Sequence, residues 1–169
     1  MHPALSIILF TTLSGLGFGA LTWLGFGAVP EDTRQAITLA AFVLSVAGLS
    51  ASSFHLGHPE RAWRAFSQWR SSWLSREGVM AVITLGLVIS WWYLDEPRWL
   101  GAMMAVCSLL TVYATSMIYA QMKSVQQWKT SLTPVVFLFM SLAGGGLLCA
   151  LGAAFGEGVT ASAVITVSV

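Results

Sequence analysis

Residues 130–156, TSLTPVVFLFMSLAGGGLLCALGAAFG, carry no Asp, Glu, Lys or Arg. A helix needs about 20 mostly apolar residues to cross the hydrocarbon core of a bilayer. Four further stretches of sufficient length also lack formal charge: residues 1–30, 36–54, 78–94 and 99–122. Because backbone polar groups inside lipid must be satisfied within the spanning segment itself, we predict that each of the five stretches is a helix.

The overall composition supports a membrane protein. Hydrophobic residues make up 56 % of the chain and charged residues 9 %, and the mean hydropathy is +0.76. Soluble domains carry about 25 % charged residues. These values exclude a soluble enzyme, a disordered chain and a nucleic-acid-binding protein with a basic face.

The predicted fold class is therefore all-α, a polytopic transmembrane helix bundle with five spans. Residues 1–169 are predicted to form one transmembrane domain. The apolar piece 159–169 is too short to span, so we expect it to be a terminal flap or the C-terminal stub of a sixth helix. Gly15 and Gly19 form a GxxxG pattern, and Gly144–Gly146 is a second run of small residues. Both are predicted to let helices approach closely.

The charges between the spans predict an orientation. Counted along the chain, the four loops hold one, four, one and two basic residues. The second and fourth loops share a face with the N-terminus, and by the positive-inside rule that face is cytoplasmic. We therefore expect a protein of the inner (cytoplasmic) membrane with its N-terminus in the cytoplasm. A loop that docks an acidic partner would show the same excess of bases.

Residues 55–77, HLGHPERAWRAFSQWRSSWLSRE, are unusual for a loop because they hold two of the three histidines and four of the eight bases. One interpretation is an interfacial helix whose tryptophans anchor it and whose arginines attract phospholipid head groups. The other interpretation starts from His55 at the end of the second span and Glu77 at the start of the third. Ionisable groups near hydrocarbon are costly and usually functional. A neutral histidine and a carboxylate could bind a quinone carbonyl and exchange protons with it.

Two segments resemble the membrane-anchor subunits of the dimethyl sulfoxide reductase family. The first is HLGHPERAWRAF at 55–66 followed by SSWLSRE at 71–77. The second is MIY at 117–119 with WKTSLTP at 128–134. The resemblance implies a non-catalytic, all-helical anchor without a metal of its own. Such an anchor holds an iron–sulfur subunit and a molybdopterin catalytic subunit at the membrane, and it passes electrons between ubiquinone or menaquinone and the nearest iron–sulfur cluster.

The resemblance also implies roles for individual residues. His55 and Glu77 match the quinone-site histidine and glutamate of the family. Further residues are expected around that quinone site or against the partner: Arg61, Ser75, Arg76 and Tyr119. The expected partner-docking or interface residues are Trp63, Arg64 and Arg70, and residues 55–77 as a whole would face the partner.

Within the family, the anchor of the cytoplasmic sulfite dehydrogenase agrees with the cytoplasmic placement of the basic loops and has a similar start to Met1-His2-Pro3. Electrons would then run from sulfite to quinone. The alternative is the anchor of a sulfoxide, polysulfide or tetrathionate reductase that takes electrons from quinol. Because family anchors usually have eight spans, we expect this chain to be the N-terminal part of a longer architecture.

Two other classes of function stay open. A haem-b anchor needs two axial ligands that face each other from separate helices. His2, His55 and His58 lie near one face, but none lies within a span. A small transporter would show broken helices, or repeats with charges near the membrane midplane, whereas the middles of these spans hold no formal charge. We expect no metal site at Cys107 and Cys149, which lie inside apolar runs without metal-ligand spacing.

Overall fold

The computed structural model describes residues 5–53, 66–122 and 125–167, and in the stretch 157–167 it describes the backbone alone. The described residues contain no strand and form five α-helices, namely α1 Leu5–Gly25, α2 Glu31–Ser53, α3 Trp73–Tyr93, α4 Arg98–Ala120 and α5 Leu132–Val167. All five are long and apolar enough to cross a membrane, α5 through its part Leu132–Gly156. The prediction of an all-α bundle with five spans is confirmed. The backbone of 159–167 continues α5.

Two helices begin five residues earlier than the charge-free stretches. α2 begins at Glu31 and has Glu31 and Asp32 in its first turn, where carboxylates interact favourably with the helix dipole. α3 begins at Trp73, so Glu77 lies inside the helix. The charged side chains that were used as boundaries therefore belong to the first two turns of the helices.

α1 is the central helix and packs against α2, α4 and α5, whereas α3 packs mainly on α4. Small residues make these approaches close. A Cβ at Gly145 of α5 would overlap backbone atoms of Gly19 and Ala20, and one at Gly17 would overlap backbone atoms of α2. The predicted close packing is confirmed for Gly19 and Gly145. At Gly15, by contrast, an added Cβ would meet no atom within 4 Å.

The core consists of one large and one small cluster. The large cluster is centred on Phe18, Leu21 and Leu24 of α1 and includes Met104 of α4 and Trp91 of α3. The small cluster comprises Phe10, Ala51 and Tyr119. It joins the start of α1 to the ends of α2 and α4, so these three termini lie at one end of the bundle.

The two ends of the bundle differ in charge. We call the end with the small cluster the basic end, because its described residues include three bases and one carboxyl group: Arg70, Arg76, Lys129 and Glu77. Among described side chains, the opposite, acidic end carries four carboxyl groups, those of Glu31, Asp32, Asp95 and Glu96, and two bases, Arg34 and Arg98. At the acidic end Arg34 of α2 pairs with Glu96 at 2.9 Å, which places the start of α2 beside the loop between α3 and α4.

Candidate functional site

Glu77 is a buried carboxyl group in the second turn of α3, with 4 % of the residue exposed. Its Oε1 accepts a hydrogen bond from Thr115 Oγ1 of α4 at 2.5 Å. Both ion pairs between described residues involve Arg34 at the opposite end of the bundle. Glu77 therefore has no cationic partner within the described part of the chain. A carboxyl group held in a membrane span by a neutral hydroxyl is energetically costly, which makes Glu77 the candidate for a functional residue.

The position of Glu77 follows from the helical periodicity of α3. The buried residues of this face recur at helical spacing: Glu77, Ala81, Thr84, Val88 and Trp91. This stripe faces α4, where Ser108, Thr111, Thr115 and Tyr119 are buried. The hydroxyl oxygens of Thr84 and Thr111 lie 3.3 Å apart two turns below Glu77. Glu77 is therefore the polar end of a helix–helix contact, and not part of a solvated face.

Ser75 lies two residues before Glu77 and is 1 % exposed. Its Oγ is the one fully buried side-chain oxygen or nitrogen without a hydrogen-bond partner within the part of the chain that the structure describes. A buried hydroxyl that makes no hydrogen bond costs about 1–3 kcal/mol. Among the described residues, Ser75 is therefore the buried side chain whose hydrogen-bonding capacity is unused.

Tyr119 is buried at the end of α4 in an aromatic group. Its ring stacks on Phe137 of α5 with centroids 5.3 Å apart, and it meets Trp128 edge-on at 5.2 Å. Through the small cluster it also contacts Phe10 of α1. The predicted tyrosine thus lies at the basic end, where it closes the space between α4 and α5.

Arg76 has a different setting from its neighbours in sequence. Its Nε donates to the carbonyl of Trp69 at 3.0 Å and its Nη2 to the carbonyl of Arg70 at 2.7 Å. The guanidinium also lies 4.2 Å from the centre of the Trp73 ring. Its interactions hold the segment before α3, while Arg70 itself is exposed.

The predicted site residues fall into three groups. Ser75, Glu77 and Tyr119 are buried at the basic end, whereas Arg70 precedes α3 and Arg76 lies in its first turn, with its side chain bonded to the segment before the helix. The remaining predicted residues lie outside the described part of the chain: His55, Arg61, Trp63 and Arg64. The role predicted for each residue stays a prediction.

Thr115 was not among the predicted residues, and it also forms part of the wall of a cavity of about 370 Å³ between α1, α4 and α5. The sequence did contain a signal for it. Ser108, Thr111 and Thr115 follow one another at helical spacing inside an otherwise apolar span, which indicates a polar stripe on one face of α4. Nothing in the sequence, however, indicates which helix that stripe meets.

Comparison with known proteins places the whole described bundle in a family. The sequence pattern of the family described as DMSO reductase anchor subunit (DmsC) matches residues 1–167. The chain belongs to the DmsC family. A sulfite dehydrogenase subunit of Allochromatium vinosum is 39 % identical to this DmsC-family chain over 183 aligned positions, which cover 92 % of the chain and 56 % of the relative. The chain thus spans about half the length of that relative. No solved structure matches it.

Membership of the DmsC family confirms the resemblance found in the sequence. Together with the five spanning helices, it identifies a multi-pass membrane protein of an anchor-subunit family.

Proposed function

We propose that this DmsC-family chain is the quinone-interacting anchor of a molybdopterin and iron–sulfur oxidoreductase complex. It passes electrons between the quinone pool and an iron–sulfur subunit, with sulfite oxidation as the source of the electrons. The observation that carries the proposal is the buried Glu77, which lies in a membrane span without a cationic partner among the described residues. The likeness to a sulfite dehydrogenase subunit supports sulfite as the electron source.

The chemistry of the buried residues suits a quinone head group. A quinone has two carbonyl oxygens that accept hydrogen bonds, and its two-electron reduction requires two protons. The unpartnered hydroxyl of Ser75 can donate to one oxygen, and Glu77 can exchange a proton. His55 follows the last described residue of α2 by two positions and is proposed as the second donor. Ubiquinone and menaquinone both meet these requirements, and the iron–sulfur clusters and molybdopterin belong to the partner subunits.

The distribution of charge supports the proposed placement in the complex. The basic end carries exposed Arg70 and Lys129, and Arg61 and Arg64 belong to the same loop as Arg70 in sequence. An acidic, cluster-bearing subunit would dock on this end, close to Glu77. By the positive-inside rule the docking face is cytoplasmic and the membrane is the inner membrane.

A decisive experiment compares two electron acceptors in the purified complex. We expect Glu77→Gln to lower sulfite-dependent reduction of decylubiquinone by about 100-fold, because the amide cannot exchange the proton. Reduction of ferricyanide, which takes electrons from the soluble subunits, should not change. Glu31→Gln is the matched control, since it makes the same chemical change at an exposed side chain of the acidic end.

Recovery of the partner subunits with each variant shows that the complex has assembled. An assembled Glu77→Gln complex with full quinone turnover would contradict the proposed role of this carboxyl group. If the complex instead reduces a sulfoxide, polysulfide or tetrathionate with electrons from quinol, electrons flow opposite to the proposed direction, and the proposed quinone site is unchanged.

A further inference from the structure

The cavity between α1, α4 and α5 is bordered by exposed residues in the spanning parts of α1 and α5, which in a bilayer would face lipid. Thr12, Val136 and Met140 at its mouth are exposed, whereas Ser14, Phe18, Val112, Thr115 and Ser141 at its floor are buried. Its volume of about 370 Å³ falls within the range of about 300–1,000 Å³ that is usual for small-molecule sites. A ligand of the bilayer could enter it without crossing an aqueous phase.

The hydroxyl groups at the floor of the cavity can accept hydrogen bonds from a ligand but not donate them, because their hydrogens already bond to oxygen atoms of the protein. Ser14 Oγ donates to the carbonyl of Phe10 at 2.6 Å, and Ser141 Oγ donates to the carbonyl of Gly15 at 2.7 Å. On the wall, Thr11 Oγ1 donates to the carbonyl of Ile7 at 3.0 Å.

Thr115 is the fourth lining residue whose hydroxyl hydrogen is bonded to an oxygen atom of the protein. Its hydroxyl donates to Glu77 Oε1 and lies within 3.0 Å of the carbonyl of Thr111. A hydroxyl group has one hydrogen and two lone pairs. With the hydrogens directed at carbonyl and carboxyl oxygens, these four hydroxyls have only lone pairs left for a ligand in the cavity. The remaining lining hydroxyl, that of Thr12, lies at the exposed mouth.

We propose that this cavity binds the hydroquinone form of a lipid-soluble quinone in preference to the oxidised form. A hydroquinone has two O–H groups that can donate to the lone pairs at the floor. A quinone has only acceptor oxygens, which would face other acceptors there. The rings of Phe18 and Phe137 and the side chain of Val112 give the apolar surface on which a hydroquinone ring can pack.

This inference rests on the proposed function for the presence of a quinone, and it adds a site and a preferred redox state. Thr115 lines the floor of the cavity and donates a hydrogen bond to Glu77, so the cavity adjoins the carboxyl group to which we assign proton exchange. The cavity would hold the reduced product close to that group, on the path into the lipid.

The test measures binding of the tail-less head groups, 2,3-dimethoxy-5-methylhydroquinone and the corresponding benzoquinone, to the anaerobic complex by calorimetry. The clusters are held reduced for the hydroquinone and oxidised for the quinone, so that neither ligand is converted. We expect the hydroquinone to bind about tenfold more tightly.

Two matched pairs of variants locate the binding. Gly15→Leu fills the cavity from a position where an added Cβ meets no atom within 4 Å, and Gly86→Leu makes the same change at a similarly open position on the exposed face of α3. Ser14→Ala removes an acceptor at the floor. Ser108→Ala removes a buried serine that likewise bonds the carbonyl four residues earlier but does not line the cavity. We expect Gly15→Leu to abolish hydroquinone binding and Ser14→Ala to reduce the preference, with no effect of either control.

Equal affinity for the two forms would overturn the proposed preference. Hydroquinone binding that survives Gly15→Leu, or the absence of binding by either head group, would overturn the proposed site. A different experiment tests the proposed function. Full quinone turnover in an assembled Glu77→Gln complex would contradict that function, and the binding measurement does not depend on this variant.

Discussion

The guanidinium of Arg34 binds the carboxylate of Glu96 at 2.9 Å and joins the start of α2 to the loop between α3 and α4. Nη2 of Arg34 also donates to the carbonyl of Val29 at 3.2 Å. Both side chains of the pair are 21 % exposed. One arginine therefore connects the two loops of the acidic end.

Replacing this arginine should destabilise the bundle. We expect Arg34→Met to lower the free energy of unfolding in detergent by about 1–3 kcal/mol, because it removes hydrogen bonds to a partly buried charged group. Arg98→Met is the control, since Arg98 is an exposed arginine of the same end and has no ion pair with another described residue. If Glu96→Gln adds its full effect to that of Arg34→Met, the two side chains are not coupled and the pair does not stabilise the fold.

The loop between α3 and α4 contains two residues in the left-handed backbone region, Asp95 with φ 56° and Glu96 with φ 58°. Glycine adopts this conformation without the steric cost of a Cβ. We expect Asp95→Gly to raise the free energy of unfolding by up to about 1 kcal/mol. Glu96→Gly should lower it, because the same backbone gain is offset by loss of the pair with Arg34. Equal shifts of the melting temperature in both variants would contradict this interpretation.

Close packing of α1 on α5 predicts strong sensitivity at Gly145. A methyl group there would overlap the backbone of Gly19 and Ala20, which cannot move aside as a flexible side chain can. We expect Gly145→Ala to destabilise the protein by about 1–3 kcal/mol. Gly86→Ala should have little effect, because its Cβ meets no atom within 4 Å. Thermal unfolding of both variants in the same detergent measures the difference.

The two carbonyl contacts of Arg76 predict a local effect. We expect Arg76→Ala to speed amide hydrogen exchange in residues 68–72 by about tenfold, because the segment loses two charge-assisted hydrogen bonds. Arg70→Ala is the control, since its carbonyl accepts one of these bonds and its side chain is exposed. Unchanged exchange in Arg76→Ala would show that the segment is held by other contacts.

Docking of the soluble subunits can be tested by charge reversal in the predicted loop. We expect Arg61→Glu combined with Arg64→Glu to release the soluble subunits from isolated membranes, because an acidic partner would meet like charge. Arg98→Glu at the acidic end should release nothing. Subunits that stay bound to the double variant would identify these arginines as lipid anchors.

The fold could be predicted from the sequence because a bilayer requires long stretches without charge, and such stretches are visible without an alignment. The starts of α2 and α3 could not be predicted in this way. Glu31 and Glu77 lie outside the charge-free stretches, yet both are helical, Glu31 at an exposed terminus and Glu77 against α4.

Only part of the candidate site around Glu77 could be predicted from the sequence. Glu77 was recognisable as an ionisable residue beside a span and from the resemblance to the family. Its contact with Thr115 was not, because the two residues are 38 positions apart and meet only through the antiparallel packing of α3 on α4. The cavity is formed where α1 meets α4 and α5, which follow it by more than 70 residues, so no local pattern could indicate it.

The dependence of α3 on α4 has a consequence for biogenesis. α3 has only a small contact with α2, so its buried face has no extensive partner until α4 has been synthesised. At a translation rate of about 5–20 residues per second, the 38 residues between Glu77 and Thr115 take about 2–8 seconds to make. During that interval the insertion machinery must accommodate a span with an unshielded carboxyl group, which favours release of α3 and α4 into the lipid as a pair.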